Sequence, residues 1–308
     1  MIRRTRRGLP DRETGARCAV CGGTTKTLFE TVDFNRRVTD ERFVYEVCQQ
    51  CDVIVLADPP ADMRPFYGTD YFVEPTRRRL ERSARRESYQ LGFVSRHAGT
   101  GRLVEIGAAW GTFALNATKS GFEVTALEAD ERCCSYLERE LGIETIQTRT
   151  PHTVLASLPP SAAIAMWQTL EHLPDPHATL AAAAENLDAG GVLVIATPNP
   201  ESLGFRILRR KWPHVDAPRH LWLLPIDHLT ERAASVGLEL IELTTSDTGA
   251  RRWNTFAWQR YFANGAERFA LRVGALVLGW MVALAAAPFE RRGRNGSSYT
   301  AVFRKSPV

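Results

Sequence analysis

The sequence predicts an α/β protein in which a doubly wound parallel sheet follows a small cysteine-rich domain. Three observations carry that prediction. From Arg102 onward, short apolar runs alternate with helical windows, the pattern of strands joined by crossover helices. Two CxxC pairs, Cys18/Cys21 and Cys48/Cys51, stand ahead of that alternation. The chain has 308 residues, 44% of them hydrophobic and 24% charged, which suits one good-sized domain plus a small one and not a general integral membrane protein.

The chain opens on MIRRTRRG, whose four arginines precede any apolar run. No secretory signal is expected there, since no hydrophobic region follows the charges. With a net charge of +4, the arm reads as a solvated tail and no nucleic-acid footprint follows. Lysine occurs only at Lys26, Lys119, Lys211 and Lys305 beside abundant arginine, a bias of GC-rich, bacterial coding.

Residues 12–60 form the first expected domain, zinc-ribbon-like. RRVTDERFVYEVC alternates like a strand leading into the second cysteine pair, and Gly22 and Gly23 free the backbone to turn. Without an export signal, disulfides are disfavoured and metal ligation gains. Cys18, Cys21, Cys48 and Cys51 are the expected ligands of one Zn2+, a closed and therefore structural site. Four reduced, buried thiols are the alternative. Residues 61–97 follow as a helical connector, with a Pro-rich turn segment and a charged stretch of little apolar periodicity.

Residues 98–308 carry the alternation. RLVEIGAA, FEVTALEAD, AAIAMWQTL and GVLVIATPN read as strands; DPHATLAAAAENLDAGG reads as a helix closed by glycines. IDHLTERAASVG is then a helix, and LELIELTTSD and SSYTAVFRK are the last strands. The loop Glu105–Gly111 turns sharply from strand to helix: Gly107 permits the turn, and Ala109 and Gly111 keep the surface thin. Glu128, about 20 residues after the loop and ending the next strand, is placed to accept from ribose hydroxyls. Together they point to a nucleoside-bearing ligand at the carboxyl ends of the strands.

VEIGAAWGTF, VTALEAD, AMWQTLEHLPDP and GGVLVIATPNP make residues 98–308 resemble a class I S-adenosylmethionine-dependent methyltransferase. EHLPDP is similar to the subgroup of ubiquinone-type and sugar or glycan methyltransferases. The resemblance implies a Rossmann-like seven-stranded sheet whose last strand is antiparallel. It also implies that Glu105 faces the methionine ammonium, Gly107–Gly111 line the S-adenosylmethionine, Glu128 holds its ribose, and Trp167 and Gln168 pass near the sulfonium. Ala109 departs from the family's usual glycine.

Catalysis in such an enzyme is mostly placement, but a hydroxyl acceptor needs a base. His172 in LEHLPDP and His220 in APRHLWLL are the candidates, with His214 behind them, because histidine titrates near neutral pH. The insertion RILRRKWPHVDAPRHLW covers the acceptor pocket in similar enzymes. Arg209, Arg210 and Lys211 within it suit a phosphate or an acidic sugar as readily as a solvated turn.

The expected function is methylation of a small-molecule, sugar or lipid-linked glycan acceptor, on oxygen. A quinone or polyprenyl acceptor is the rival. A non-catalytic zinc-bearing interaction protein and an NAD-dependent dehydrogenase are the readings outside the class.

The longest uncharged run, VGALVLGWMVALAAAPF, falls in an insertion at about 249–295. As a helix it is about 25 Å long, short of the roughly 30 Å hydrocarbon core, and the strand after it belongs to the sheet, which argues against a span. Two readings stay open: packing on its own domain or a second subunit, and peripheral membrane contact through 252–292. The second is favoured, because the run is apolar on all faces. It sets the expected location as cytoplasmic, at the inner face of the membrane.

Overall fold

The computed structural model of the chain describes residues 13–68 and 73–306. The basic amino-terminal arm lies outside them, as do residues 69–72 of the Pro-rich segment.

The cysteine-rich segment folds as an antiparallel meander of β1 (Glu13–Arg17), β2 (Thr24–Thr31), β3 (Phe43–Cys48) and β4 (Ile54–Leu56). Gly22, at φ +73°, makes the turn between β1 and β2 that carries the first cysteine pair. The sheet is completed from far along the chain. A two-residue strand, Trp222–Leu223, pairs antiparallel with β4 through Trp222↔Val55 and Leu223↔Ile54. The first domain is therefore not a self-contained ribbon.

A 3₁₀ turn, Arg64–Tyr67, leads to α1 (Arg77–Arg86) and α2 (Tyr89–Ser95). This stretch, expected to be a connector, is built into the body. Leu80 and Ala84 of α1 pack with Leu115 and Tyr136, and Phe93 and Val94 of α2 lie in the core on one face of the main sheet. The two short helices each bury only two apolar residues, which is why the stretch shows little periodicity in sequence.

The main sheet contains β5 (Arg102–Ile106), β6 (Glu123–Glu128), β7 (Glu144–Gln147), β8 (Ser161–Trp167), β9 (Leu187–Pro198), β11 (Leu238–Thr244) and β12 (Ser298–Lys305), β10 being Trp222–Leu223. Its order is β11-β12-β9-β8-β5-β6-β7, with β12 antiparallel to both neighbours. This is the seven-stranded α/β sheet expected. Helices α3 (Thr112–Lys119), α4 (Glu131–Tyr136), α5 (Pro151–Leu155), α6 (Pro176–Asn186), α7 (Leu203–Leu208) and α8 (Ile226–Ser235) join the strands. Helix α6 stops at Asn186, and Leu187 already pairs with Ser161. The glycines expected to close this helix instead sit inside β9.

Strand side chains alternate between two cores, as the pleat requires. Val104, Ile106, Ile164, Met166, Leu193 and Ile195 face one side, in a core continuous with Cys18, Cys48 and Val53 of the first domain. Leu103, Ala163, Ala165, Val192 and Val194 face the other, against α2 and α3. At roughly 25 cal/mol per Å² of apolar area, burial that runs across the two sheets without a break makes them one hydrophobic unit.

Between β11 and β12 the chain leaves the sheet as a helical hairpin, α9 (Thr248–Ala263) and α10 (Phe269–Glu290). Thr244 pairs with Thr300, and Ser298 with Pro198. The hairpin therefore departs from, and returns to, the carboxyl edge of the parallel strands.

Candidate active site

The carboxyl edge is where β5, β6 and β8 end, and the residues expected to hold the cofactor meet there. Glu105 is buried, and its Oε2 has no hydrogen-bond partner. Burial first, and then the charge of Glu128, push its carboxyl well above the usual range, with the Ala114 N–H opposing. A buried carboxylate so placed calls for a cation or a donor. Glu128 is capped by backbone: its Oε2 accepts from Ala109 N–H at 2.8 Å, and its Oε1 from Ala129 and Asp130 at 2.7 and 2.9 Å. The acid at the end of β6 is thus tied directly to the loop after β5.

That loop is left-handed at three positions, Gly107 (φ +77°), Ala109 (φ +47°) and Gly111 (φ +76°). A Cβ on Gly107 would lie 2.4 Å from Thr169 Oγ1, so glycine is needed for the approach of the β8 end as well as for the turn. Ala109 accepts the strained region that glycine usually fills, at a cost of about 1 kcal/mol. Trp167 packs between Phe113 and Phe93, its Nε1 buried without a partner. Gln168 is left-handed (φ +54°) and donates through Nε2 to Ser298 Oγ at 2.9 Å. The buried Glu105, the thin loop and Glu128 together fit an adenosyl-methionine group: a cation for one acid and hydroxyl donors near the other.

A second cluster lies beside the end of β8. Glu171, His172 and His220 each offer one donor atom, all within 4.8 Å of one another, a set that would also suit a divalent cation. His172 Nδ1 lies 2.9 Å from the Tyr67 hydroxyl and 2.9 Å from the Arg219 carbonyl. A carbonyl can only accept, so Nδ1 carries the proton and Nε2 the lone pair. His220 Nδ1 donates in the same way to the His214 carbonyl at 2.9 Å. Its Nε2 is 4.0 Å from Glu171 Oε1, which is buried with no partner. Glu171 Oε2 accepts from Thr197 Oγ1 at 2.9 Å. One oxygen of the Glu171 carboxyl is therefore left without a partner beside the two imidazoles.

Burial sets the protonation of this cluster. It pushes Glu171 up to about 8 and lowers His172; it takes His220 down to about 3, with the charge of His172 adding to the effect. The histidines are neutral bases at physiological pH.

Sequence reasoning missed the groups that hold the pair. Tyr67 comes from the Pro-rich segment. Arg219, fully buried, donates to Asp216 at 2.8 and 2.9 Å and to Asp33 of the first domain at 2.6 Å. Arg219 lies beside His220 in APRHLW, and its signal was an arginine inside an apolar run. His214, the third candidate, is buried elsewhere, with Nε2 on the Trp253 carbonyl, and does not join the cluster.

In the first domain, Cys18 and Cys51 sulfurs are 3.8 Å apart and Cys21 and Cys48 sulfurs 3.4 Å, with all four within 4.8 Å. A tetrahedron of sulfurs about 2.3 Å from a central ion has edges of about 3.8 Å.

The sheet order and the acid-and-glycine edge define the chain as a class I methyltransferase-type α/β fold. A family model, "Methyltransferase domain", matches residues 74–243. The chain belongs to this family and is, by that membership, an S-adenosylmethionine-dependent methyltransferase. Two solved structures share the fold. One is a SAM-dependent methyltransferase from Archaeoglobus fulgidus, 17% identical, at a TM-score of 0.50 over 73% of this chain and 94% of that one. The other is the phosphoethanolamine N-methyltransferase 2 of Haemonchus contortus, 13% identical, at 0.54 over 94% of this chain and 71% of that one. No curated protein matches the sequence.

Proposed function

We propose that the enzyme methylates a hydroxyl on a small-molecule, sugar or lipid-linked glycan acceptor, with His172 as the base. The observation that supports this is the gathering of Glu171, His172 and His220, one ligand-type atom of each within 4.8 Å of the others, with Glu171 Oε1 left without a hydrogen-bond partner. An acceptor hydroxyl placed there would meet a neutral imidazole able to take its proton and a carboxyl oxygen that has no partner within the protein. Of the two histidines His172 is the less buried, and its Nδ1–H is fixed on the Arg219 carbonyl.

When bound, S-adenosylmethionine supplies an already electrophilic methyl group, so most of the rate comes from placement and from exclusion of water. Glu105, Gly107, Ala109, Gly111 and Glu128 would hold the donor, with Trp167 and Gln168 closing the β8 side. The proton of the acceptor hydroxyl would pass to His172 Nε2, and the imidazolium so formed is favoured by the charge of the nearby Asp216. His220 and Tyr67 act as positioning residues. The four cysteines hold one structural Zn2+.

Calorimetry with S-adenosylhomocysteine tests the donor site: the wild type binds, and Glu128→Ala weakens binding at least about tenfold, the loss of one charge-assisted hydrogen-bond set. No binding by the wild type overturns the reading. Turnover against nucleotide sugars and lipid-linked glycans, read as a gain of one methyl mass, tests the acceptor class.

A further inference from the structure

Helix α10 presents an apolar surface that the fold leaves uncovered. Its 22 residues span about 33 Å, and its most apolar 18-residue window has a mean hydropathy of 2.0 with only 11% of the window buried. Leu271, Val277, Trp280, Met281, Leu284 and Phe289 are each at least half exposed. Gly279 and Ala283 are buried against α9, with Val282 and Ala286 half-buried beside them, and the opposite side of the helix faces outward. A surface of this extent marks a partner.

The charges beside it say which partner. Arg260 in the last turn of α9, Arg268 between the helices and Arg272 in the first turn of α10 gather at the amino end of α10, with Glu267 the one acid among residues 264–272. Arg36 and Arg37 of the first domain come to the same end. A Cβ on Gly265 would lie 3.0 Å from an Arg37 guanidinium nitrogen, and Phe34 stacks on Tyr261 at 6.3 Å. Burial and then Arg272, Arg36 and Arg37 lower the pKa of Arg260, which shows how closely these guanidinium groups gather. Exposed Arg291 and Arg292 follow the other end.

Both ends of α10 are tied to one body. The amino end rests by residues 34–37, and past the carboxyl end Asn199 donates to the Arg294 carbonyl and Leu203 N–H to the Asn295 carbonyl. A helix held at both ends on one globule lies along a surface and does not cross it.

We propose that α9 and α10 form an in-plane anchor on an anionic lipid bilayer, with the outer face of α10 in the acyl boundary and the arginines among the headgroups. The hairpin rises from the carboxyl edge of the sheet, so the anchor brings that edge to the bilayer, where a lipid-linked acceptor resides. The anchor stands apart from the choice of acceptor and of catalytic base.

Vesicle flotation of the full chain tests it, using phosphatidylcholine alone and phosphatidylcholine with phosphatidylglycerol. The wild type floats with the anionic vesicles and is released by salt. The pair Arg268→Glu and Arg272→Glu lowers partitioning at least about tenfold, because each arginine near such a surface is worth about fivefold. Arg268→Lys with Arg272→Lys retains it. The set Leu276→Ser, Trp280→Ser and Leu284→Ser abolishes flotation. S-adenosylhomocysteine binding is unchanged in all these variants, which separates loss of the anchor from loss of the fold or of the donor site. Three results would each overturn the proposal: no flotation, equal flotation with both vesicles, or a wild-type dimer that the serine variant splits while vesicles leave it intact.

Discussion

At the scale of single residues, Glu171 and the histidines around it set opposite pH limits. The folded state holds the Glu171 proton up to about pH 8, while an unfolded glutamate releases it near 4.3. Its contribution to stability is complete below about pH 4 and is lost as pH rises toward 8. His214 and His177, lowered to about 4, and His220, lowered to about 3, work the other way: their contribution is present above about 6.5 and is lost on acidification toward their folded values. Stability of the wild type should fall on both sides of about pH 6. Glu171→Gln should flatten the alkaline limb and leave the acid limb in place, measured by denaturant titration across pH. An unchanged alkaline limb would show that Glu171 is not the group responsible. For catalysis, His172→Asn should lower kcat by about 10²–10⁴ and remove the acid limb of the rate profile, which reflects loss of the neutral imidazole and which burial of His172 displaces to the acid side of an ordinary histidine. Of this chemistry the sequence displayed His172 and His220 but not their tautomers. Those are set by the Arg219 and His214 carbonyls, whose positions depend on how a loop some 45 residues downstream returns to β8.

At the scale of elements, legibility followed periodicity. Six strands of the main sheet are short apolar runs and were legible; β7, the short edge strand Glu144–Gln147 with no buried residue, was not, and α1 and α2 each hold too few apolar residues to show a face, so that their packing appears only in three dimensions. The end of α6 was misplaced because glycine closes many helices, yet here the chain turns into β9 at Leu187, three residues before Gly190 and four before Gly191. The α9–α10 pair shows what hydropathy alone leaves out. A Cβ on Gly279 would lie 2.5 Å from Gln259 Cα and 2.8 Å from the Trp258 carbonyl oxygen, so the two backbones touch at that point. Neither backbone atom can move aside as a side-chain tip would. Gly279→Ala should therefore cost about 1–3 kcal/mol by overpacking, although alanine favours helix over glycine. Gly274→Ala, where nothing lies within 4 Å of the added carbon, should be neutral or slightly stabilising. Urea denaturation of the two variants checks the contrast, and equal midpoints would mean that the helices are not in contact.

At the scale of the molecule, the cysteine site and the acceptor cluster are mechanically one. Trp222 and Leu223 complete the sheet that holds the cysteines, and only Leu221 separates them from Arg219 and His220. The Tyr45 hydroxyl of β3 donates to the His220 carbonyl at 2.6 Å, and Asp33 of the first domain shares Arg219 with Asp216. These links span nearly 190 residues of sequence, beyond the reach of any local pattern. They explain why two segments legible as separate domains fold as one core. Removing Arg219 leaves two buried carboxylates without their cation, so Arg219→Met should cost about 3–5 kcal/mol, whereas an exposed pair such as Arg42 with Glu30 is worth under about 1. Stripping the zinc proposed for the four cysteines should act through the same links. Metal analysis is expected to find one zinc per chain. Chelation should lower the melting temperature of a single transition and depress methyl transfer more than it weakens S-adenosylhomocysteine binding, since Glu105 and Glu128 stand on strands that the first domain does not build. Calorimetry of the chelated protein separates the cases. Two resolved transitions, with turnover intact above the first, would show that the cysteine domain melts alone and that its coupling to His220 carries no weight.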